Sequence, residues 1–443
     1  MIPKFVAVSV LAGATFAALA VEVTSEQAET AVRNWIGRGP RRLGAKFGSA
    51  DVQNTVTGRD GSNRALYHAV NLQGGGFVIT SGDTRVTPVV AFSDTGNYDP
   101  DTVDPLRTLL QYDQMAALAV VDEKEGQVKF SSAASGVASP FAKEESEWAS
   151  LLGEPGGLKR SGPVETADMD DVCVYTMLKT RWTQRDEAFN YYTPHNYPCG
   201  CVATAGAQLM KYWEWPASVG RFSKLCYEKS VVESKSSKAG PIDWQRMHSV
   251  YTKLDPEVER QAVGRLTYNV GVAVGMNWGP NGSGVIGPKL ADALKEHFKY
   301  ASGRSERLGL INTGVDVGGP IGDFKSIVYP NLDAGMPVVL NVREDYLNLL
   351  SNGHAVVLDG YGYCNGTRYT HVNMGWPDAG DCWYNLVHEK LEKYECYASL
   401  EYNIHPTLKF DNIISGRVTT LNGRFSLAGV KVEYCLLVED ALG

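Results

Sequence analysis

The sequence predicts an α+β protein: a small N-terminal α+β unit, an interrupted stretch, and a larger central domain with its own helical and strand parts. Three observations carry this reading. Helix-spaced and strand-alternating segments share the first 125 or so residues. Residues 131–171 then turn rich in Gly, Ser, Pro and Ala. From Val172 to about His405 the chain holds most of its aromatics and seven of its eight cysteines. At about 100–200 residues per domain, 443 residues leave room for two to four domains. With 44% hydrophobic and 21% charged residues the composition is that of a globular protein. A net charge of −8 gives no reason to expect a nucleic-acid partner.

The first twenty residues, MIPKFVAVSVLAGATFAALA, carry Lys4, then an uncharged apolar run, then a small-x-small ending at Ala18–Ala20. This pattern reads as a secretory signal peptide cut after Ala20. No later stretch is long and apolar enough to span a bilayer, so an exported protein is expected, in the medium or at the cell envelope. Export permits disulfides among the eight cysteines, whose pairing the sequence does not give.

In the N-terminal unit (residues 21–130), TSEQAETAVRNWI reads as a helix capped by Ser25, with Ala28, Val32 and Trp35 at helical spacing. ALYHAVNL and GGFVITSG read as strands around Gly74–Gly76, TPVVAFS as a third strand. Asp104 to Val121 reads as a helix with Leu106, Leu109, Leu110 and Met115 on one face. Residues 131–171 read as an exposed linker around the helical KEESEWASLL, the kind of segment where proteolytic nicking concentrates. The central domain is assigned to 172–405. Beyond it, residues 410–443 alternate around Asn422-Gly423, a hairpin signal and the start of an incomplete β module.

The chemistry centres on Cys199-Gly200-Cys201. VATAGAQLMKYW continues as a helix with Ala205, Leu209 and Trp213 on its apolar face, and Pro216 ends it. Cys201 therefore sits at a helix N-terminus, where backbone N–H groups and the dipole favour a thiolate. Cys199 lies outside that field. A buried structural cysteine is the competing reading for Cys201, and a disulfide is open to Cys199. Zinc is disfavoured, because C-x-C here has no partner pair at ligand spacing.

A thiol nucleophile needs a base. Among eight histidines, His354 stands directly after Ser-Asn-Gly at the mouth of the apolar strand HAVVLDGYGY. A side chain there is held by a rigid scaffold yet reaches a cleft. His354 and Cys201 lie 153 positions apart, close to the roughly 130–150 used by one class of thiol proteases. Asn373 and Trp376, in HVNMGW, are candidates to orient the imidazole. If Asn365-Gly366 is a two-residue turn, however, Asn373 faces Leu358, about 13 Å along the strand from His354. A longer loop or a bulge is needed to bring them together. The backbone N–H of Cys201 and a side-chain amide, with Gln184 in TRWTQRD the nearest upstream, are candidate oxyanion donors.

These pieces together resemble the streptopain-like secreted cysteine peptidases. The match runs in order through WTQ (182–184), NYYTP (190–194), GCVATAGAQLMKYWEWP (200–216), IDWQRM (242–247), GMNWGPNGSG (275–284) and ALKEHFKY (293–300). It closes with AGMPVVL (334–340), GHAVVLDGY (353–361) and HVNMGW (371–376). The resemblance implies a papain-like fold of a helical and an antiparallel β subdomain. It implies Cys201 as nucleophile, His354 as general base and Gln184 as oxyanion donor, with Asn373 and Trp376 supporting the histidine. Gly353 and the Ser283-Gly284 loop match backbone that holds the substrate peptide. GGFVITSGDTRVTPVVAFSDTGNYD (75–99) resembles the inhibitory propeptide of the same family. The expected partners are thus protein or peptide substrates and the chain's own propeptide, with no metal or cofactor required. Lys159-Arg160 is one basic candidate for the activating cut. The C-terminal segment resembles the first strands of a carboxypeptidase-regulatory-like β-sandwich.

The pattern departs at Met374, where the family carries an aromatic, and at Pro377-Asp378, where it carries two glycines. Two alternatives follow: a catalytically inactive relative that binds peptides or surfaces, and another thiol acyl transferase such as an amidase. Retention of Cys201, His354 and Gln184 together argues against the first. The propeptide resemblance argues against the second.

Overall fold

A computed structural model describes residues 22–39, 41–101, 105–131, 139–153, 171–285, 287, 289–301, 304–307, 324–343, 353–376, 380–386 and 397–407. The expected signal peptide, Lys159-Arg160, Pro377-Asp378 and the 410–443 module lie outside the described residues.

Helix α1 (Ser25–Gly37) is capped by Thr24, one residue before the expected Ser25. The Thr24 hydroxyl accepts the Gln27 N–H, and the Gln27 side chain accepts the Thr24 N–H. This reciprocal box satisfies two otherwise orphaned donors. Strands β1 (Val52–Arg59), β2 (Ala65–Leu72), β3 (Phe77–Ser81) and β4 (Val89–Ser93) follow. Gly74, Gly75 and Gly76 all take positive φ in the β2–β3 turn, and a Cβ on Gly76 would meet the Ser93 carbonyl at 2.9 Å. Helix α2 (Pro105–Ser131) runs ten residues past the expected Val121. Its Leu106, Leu109 and Leu110 are fully buried, while Met115 packs at the edge of that core.

Helix α3 (Ala142–Leu152) lies within the expected exposed linker, yet it is docked. Trp148 is fully buried, and its indole N–H donates to the Val86 carbonyl at 3.0 Å. Asn34 of α1 donates to the Leu151 carbonyl. Burying a large apolar side chain contributes about 1.5–3 kcal/mol, which is why EWASLL holds to the N-terminal unit instead of standing in solvent.

The central part continues through β5 (Asp171–Val174), α4 (Cys201–Trp213), β6 (Ser223–Glu228), β7 (Val231–Ser236), α5 (Glu257–Val274), β8 (Asn277–Trp278) and α6 (Leu290–Phe298). Then come β9 (Arg304–Arg307), α7 (Phe324–Asp333), β10 (Val338–Arg343), β11 (Gly353–Cys364), β12 (Thr367–Asn373), β13 (Cys382–Tyr384) and β14 (Tyr397–Tyr402). Helices α4, α5 and α6 pack around Leu209, Val270, Trp278, Leu290 and Phe298, and this core meets β11 at Ala355 and Val357. The architecture is α+β, a helical part set against an antiparallel sheet.

That sheet has eleven strands in the order β9-β14-β10-β11-β12-β13-β4-β3-β2-β1, with β5 also on β11. The N-terminal unit thus joins the central sheet directly, where Phe92 and Ala91 pair with Trp383 and Tyr384. Phe92 is fully buried and meets Tyr369 edge-to-face at 5.2 Å.

Asn365 and Gly366 form a two-residue turn, both at positive φ, which suits the twist of a tight hairpin. Pairing starts at Cys364–Thr367 and slips at Asp359, so that Leu358 faces Val372 and Val357 faces Asn373. The bulge exists, but it moves Asn373 only one residue closer to His354. A Cβ on Gly360 would meet the Val174 carbonyl at 2.9 Å, so the glycine lets β5 lie against the bulge.

Candidate active site

Gly200 caps α4 at φ +93. A Cβ there would fall 2.8 Å from Met276 Cε and 3.0 Å from the Ser283 carbonyl. The turn before the helix is pinned by the Cys199 N–H, which donates to Asn190 Oδ1 at 2.8 Å and to the Gln184 carbonyl at 3.2 Å. Cys199 is fully buried beside the Thr204 hydroxyl, in no disulfide, and burial pushes its thiol up to about 12. It is a packing residue here.

Cys201 sits at the first turn of α4, 9% exposed, its Sγ 4.0 Å from the Gly353 carbonyl and close to the Ala355 N–H. The helix start was expected to favour the thiolate. In this state burial outweighs it and pushes the thiol up, although the Ala355, Val202 and Cys201 N–H groups pull the other way. The low-dielectric surroundings that penalise a charge dominate the few oriented donors.

His354 follows Gly353 at the start of β11, so Cys201 lies against the main chain that carries the imidazole. The ring meets Trp376 edge-to-face, centroids 5.8 Å apart. Among the described residues, both buried ring nitrogens have no hydrogen-bond partner. Burial, and secondarily the Arg185 charge, pull the imidazole down to about 4. Arg185 itself lies over the Trp376 ring at 5.0 Å. With the thiol raised and the imidazole lowered, both groups are neutral near pH 7.

Asn373 does not orient His354. Its Nδ2 donates to the Thr180 carbonyl at 2.8 Å, and its Oδ1 accepts from Gln208 Nε2 at 2.9 Å and from the Gly375 N–H at 3.2 Å. Asn373 faces Val357, three residues along β11 from His354, so it ties β12 to α4 instead. Gln184 is buried, with its main chain bound to Cys199. Ser283 accepts the Gly279 N–H, and Gly284 bridges to Asn277, which sets this loop against Gly200. Met374 is buried in the apolar core beneath the sheet.

Three neighbouring residues escaped the sequence reading. Gln208 sits seven positions after Cys201 on the same helix face; its Oε1 accepts from the Thr180 hydroxyl and the Trp182 N–H. A lone amide on a buried helix face was a usable signal. Arg185 and Asp381 gave none, because only the fold brings them to Trp376 and Met374.

The N-terminal unit reaches this region. Ser93 Oγ donates to the Asp381 carbonyl at 2.7 Å. Thr95, Gly96, Asn97 and Asp99 line a cavity of about 380 Å³ together with Arg181, Trp376, Gly380 and Asp381.

Residues 182–384 match the Peptidase C10 family, and residues 20–117 match the Spi protease inhibitor. The central domain matches that peptidase family over nearly all of its length. Streptopain of Streptococcus pyogenes serotype M1 is 25% identical over 338 residues, which span 74% of each chain. The thiol protease/hemagglutinin PrtT of Porphyromonas gingivalis is 24% identical over 374 residues, 82% of this chain and 39% of that protein. A prointerpain A fragment from Prevotella intermedia superposes with a TM-score of 0.51 at 21% identity, covering 79% of this chain and 98% of the fragment. The fold is that of a papain-like cysteine protease with its prodomain, and the chain is the zymogen of a cysteine peptidase. The C10 domain and its inhibitor unit share one continuous sheet, and the inhibitor's 93–99 segment lies against the strip that carries Trp376.

Proposed function

We propose that this chain is an exported cysteine endopeptidase zymogen in which Cys201 is the nucleophile and His354 the general base. The reading is supported chiefly by one observation: Cys201, at the start of α4, lies against the Gly353–Ala355 main chain that carries His354. In the mature enzyme the Cys201 proton passes to His354. The thiolate attacks the scissile carbonyl carbon, and the carbonyl oxygen takes up negative charge facing the Cys201 N–H and the Gln184 amide. The intermediate collapses, the C–N bond breaks, and His354 returns the proton to the leaving amine. Water, deprotonated by His354, then hydrolyses the thioester and restores the thiol. Gly353 and the Ser283-Gly284 loop flank the nucleophile and offer backbone groups to an extended peptide.

Latency has a physical basis in this reading. Thiol and imidazole are both held neutral by burial, and the imidazole nitrogens bond nothing among the described residues. Cleavage in the 131–171 stretch and departure of the N-terminal unit would open the site to water and let the ion pair form. Export rests on the signal-like first twenty residues.

The test is thiol labelling. Residues 21–443 are expressed, allowed to mature, and treated with an epoxide inhibitor of thiol proteases, with Cys201→Ala as control. One adduct on Cys201 that abolishes casein hydrolysis is expected. Folded, processed protein that takes no adduct would overturn the peptidase assignment of Cys201 and favour a peptide-binding relative. Cys201→Ala should lower turnover by more than about 10⁴-fold, and Gln184→Ala by about 10²–10³-fold.

A further inference from the structure

We propose that Asp381 is a positioning residue for the peptidase site: its half-buried carboxylate holds the turn after β12 so that Trp376 stands against His354. This rests on the reading of His354 as the base.

Asp381 Oδ1 accepts the Met374 N–H at 3.0 Å, and Oδ2 lies 3.4 Å from Asn373 Nδ2. The carboxylate therefore clasps the two residues at which β12 ends. The chain then turns at Gly375, φ +62, and delivers Trp376 at the next position. Trp376 is the aromatic wall of the imidazole. The Asn373 amide bridges the same turn to Thr180 and Gln208, so the clasp is tied through Gln208 to the helix that begins at Cys201. A fixed wall matters because a nucleophile and its base lose rate steeply when displaced by about 1 Å.

The carboxylate has charged neighbours on every side. His371 on β12 and Asp359 on the β11 bulge form a pair at 2.6 Å, Arg181 lies on the segment before Trp182, and Asp99 of the inhibitor unit lines the same cavity. Burial pushes the Asp381 carboxyl up to about 6, with His371 and the Met374 N–H pulling down and Asp359 pushing up. Protonation turns an acceptor of two N–H groups into a group that must donate one hydrogen, and the clasp loosens. The inhibitor unit grips the same residue through Ser93, on its main-chain carbonyl, so the clasp stands at the joint between propeptide and enzyme.

The zymogen carrying Cys201→Ala, which cannot process itself, is labelled with 5-fluorotryptophan, and the Trp376 resonance is assigned by its loss in Trp376→Phe. With Asp381 in place that resonance should shift between pH 4 and 8 with a midpoint near 6, and with Asp381→Asn added the midpoint should vanish. On peptide substrate, Asp381→Asn in the matured enzyme should lower kcat by about tenfold or more while KM stays within about twofold. A Trp376 resonance that does not move with Asp381 in place overturns the proposal even if Asp381→Asn fails to fold. So does a folded Asp381→Asn with wild-type kcat and a lowered Tm, since that is a merely structural role. The fluorine readout needs no hydrolysis, so failure of the peptidase reading and failure of this one are separable.

Discussion

The His354 imidazole and the Trp376 indole meet edge-to-face with centroids 5.8 Å apart, and neither imidazole nitrogen has a hydrogen-bond partner among the described residues. An imidazole held only by an aromatic wall depends on that wall for its direction. Trp376→Ala is expected to lower kcat/KM by about 10²-fold, the size seen when a positioned base is misplaced. The alkylation rate of Cys201 against pH should shift toward that of an ordinary thiol. A Trp376→Ala enzyme with wild-type kcat/KM would show that the imidazole is oriented by something else.

The same burial couples the site to pH. In the folded zymogen the imidazole is pulled down to about 4, whereas an unfolded histidine titrates near 6.5. Between those values the unfolded chain binds a proton that the folded chain refuses. His354 thus supports the fold fully above pH 6.5 and loses up to about 3 kcal/mol of support as pH falls toward 4. In a Cys201→Ala background, which prevents self-cleavage, the fall in Tm from pH 7.5 to 4.5 should be smaller with His354→Gln than without it. Equal falls would remove His354 as a source of acid lability.

Gly200→Ala tests the approach to the nucleophile. The residue needs φ +93, and its Cβ would press on Met276 and on the Ser283 carbonyl. Strain of about 1–3 kcal/mol is expected, taken up by moving either the start of α4 or the 279–284 loop. Differential scanning calorimetry should show a lower Tm, and kcat/KM should fall about tenfold or more. A variant that keeps both would mean that the turn has room the structure does not show.

What the sequence made legible was local. The helix after Cys201, the strand after His354 and the Asn365-Gly366 turn all follow from spacing and turn chemistry over a few residues. The hairpin arithmetic was right down to Gly360, and then missed the slip at Asp359, because a bulge depends on what the carboxylate meets. Asp359 turns inward to take the Leu178 N–H and the His371 ring, and no periodicity encodes that. Strand β1 was missed for a similar reason: VQNTVTGR has no apolar alternation, and pairing with β2 makes it a strand. Helix α3 showed its helical pattern but not its docking partner. Asp381 lies eight residues past Asn373 in a loop of ordinary composition, and only the folded turn returns it to Met374. The lowered thiol expected at a helix start lost to burial, a tertiary quantity that composition does not carry.

The joint between inhibitor and peptidase offers the last prediction. Tyr369 on β12 is buried under Phe92, and its hydroxyl donates to the Val89 carbonyl at 2.9 Å. This bond crosses from the C10 domain to the inhibitor unit, far from Cys201 in sequence. Tyr369→Phe keeps the ring and its packing and removes only the hydroxyl. Net loss of a buried neutral hydrogen bond is about 0.5–1.5 kcal/mol, which corresponds to roughly a two- to tenfold weaker grip. Purified zymogen carrying Tyr369→Phe should therefore mature two- to tenfold faster at a fixed concentration of already active enzyme, followed by gel and by peptide turnover. The matured variant should hydrolyse peptide at the wild-type rate, because the bond to Val89 departs with the inhibitor unit. Unchanged maturation with a wild-type mature enzyme would mean that cleavage, not release of the β4–β13 pairing, limits activation.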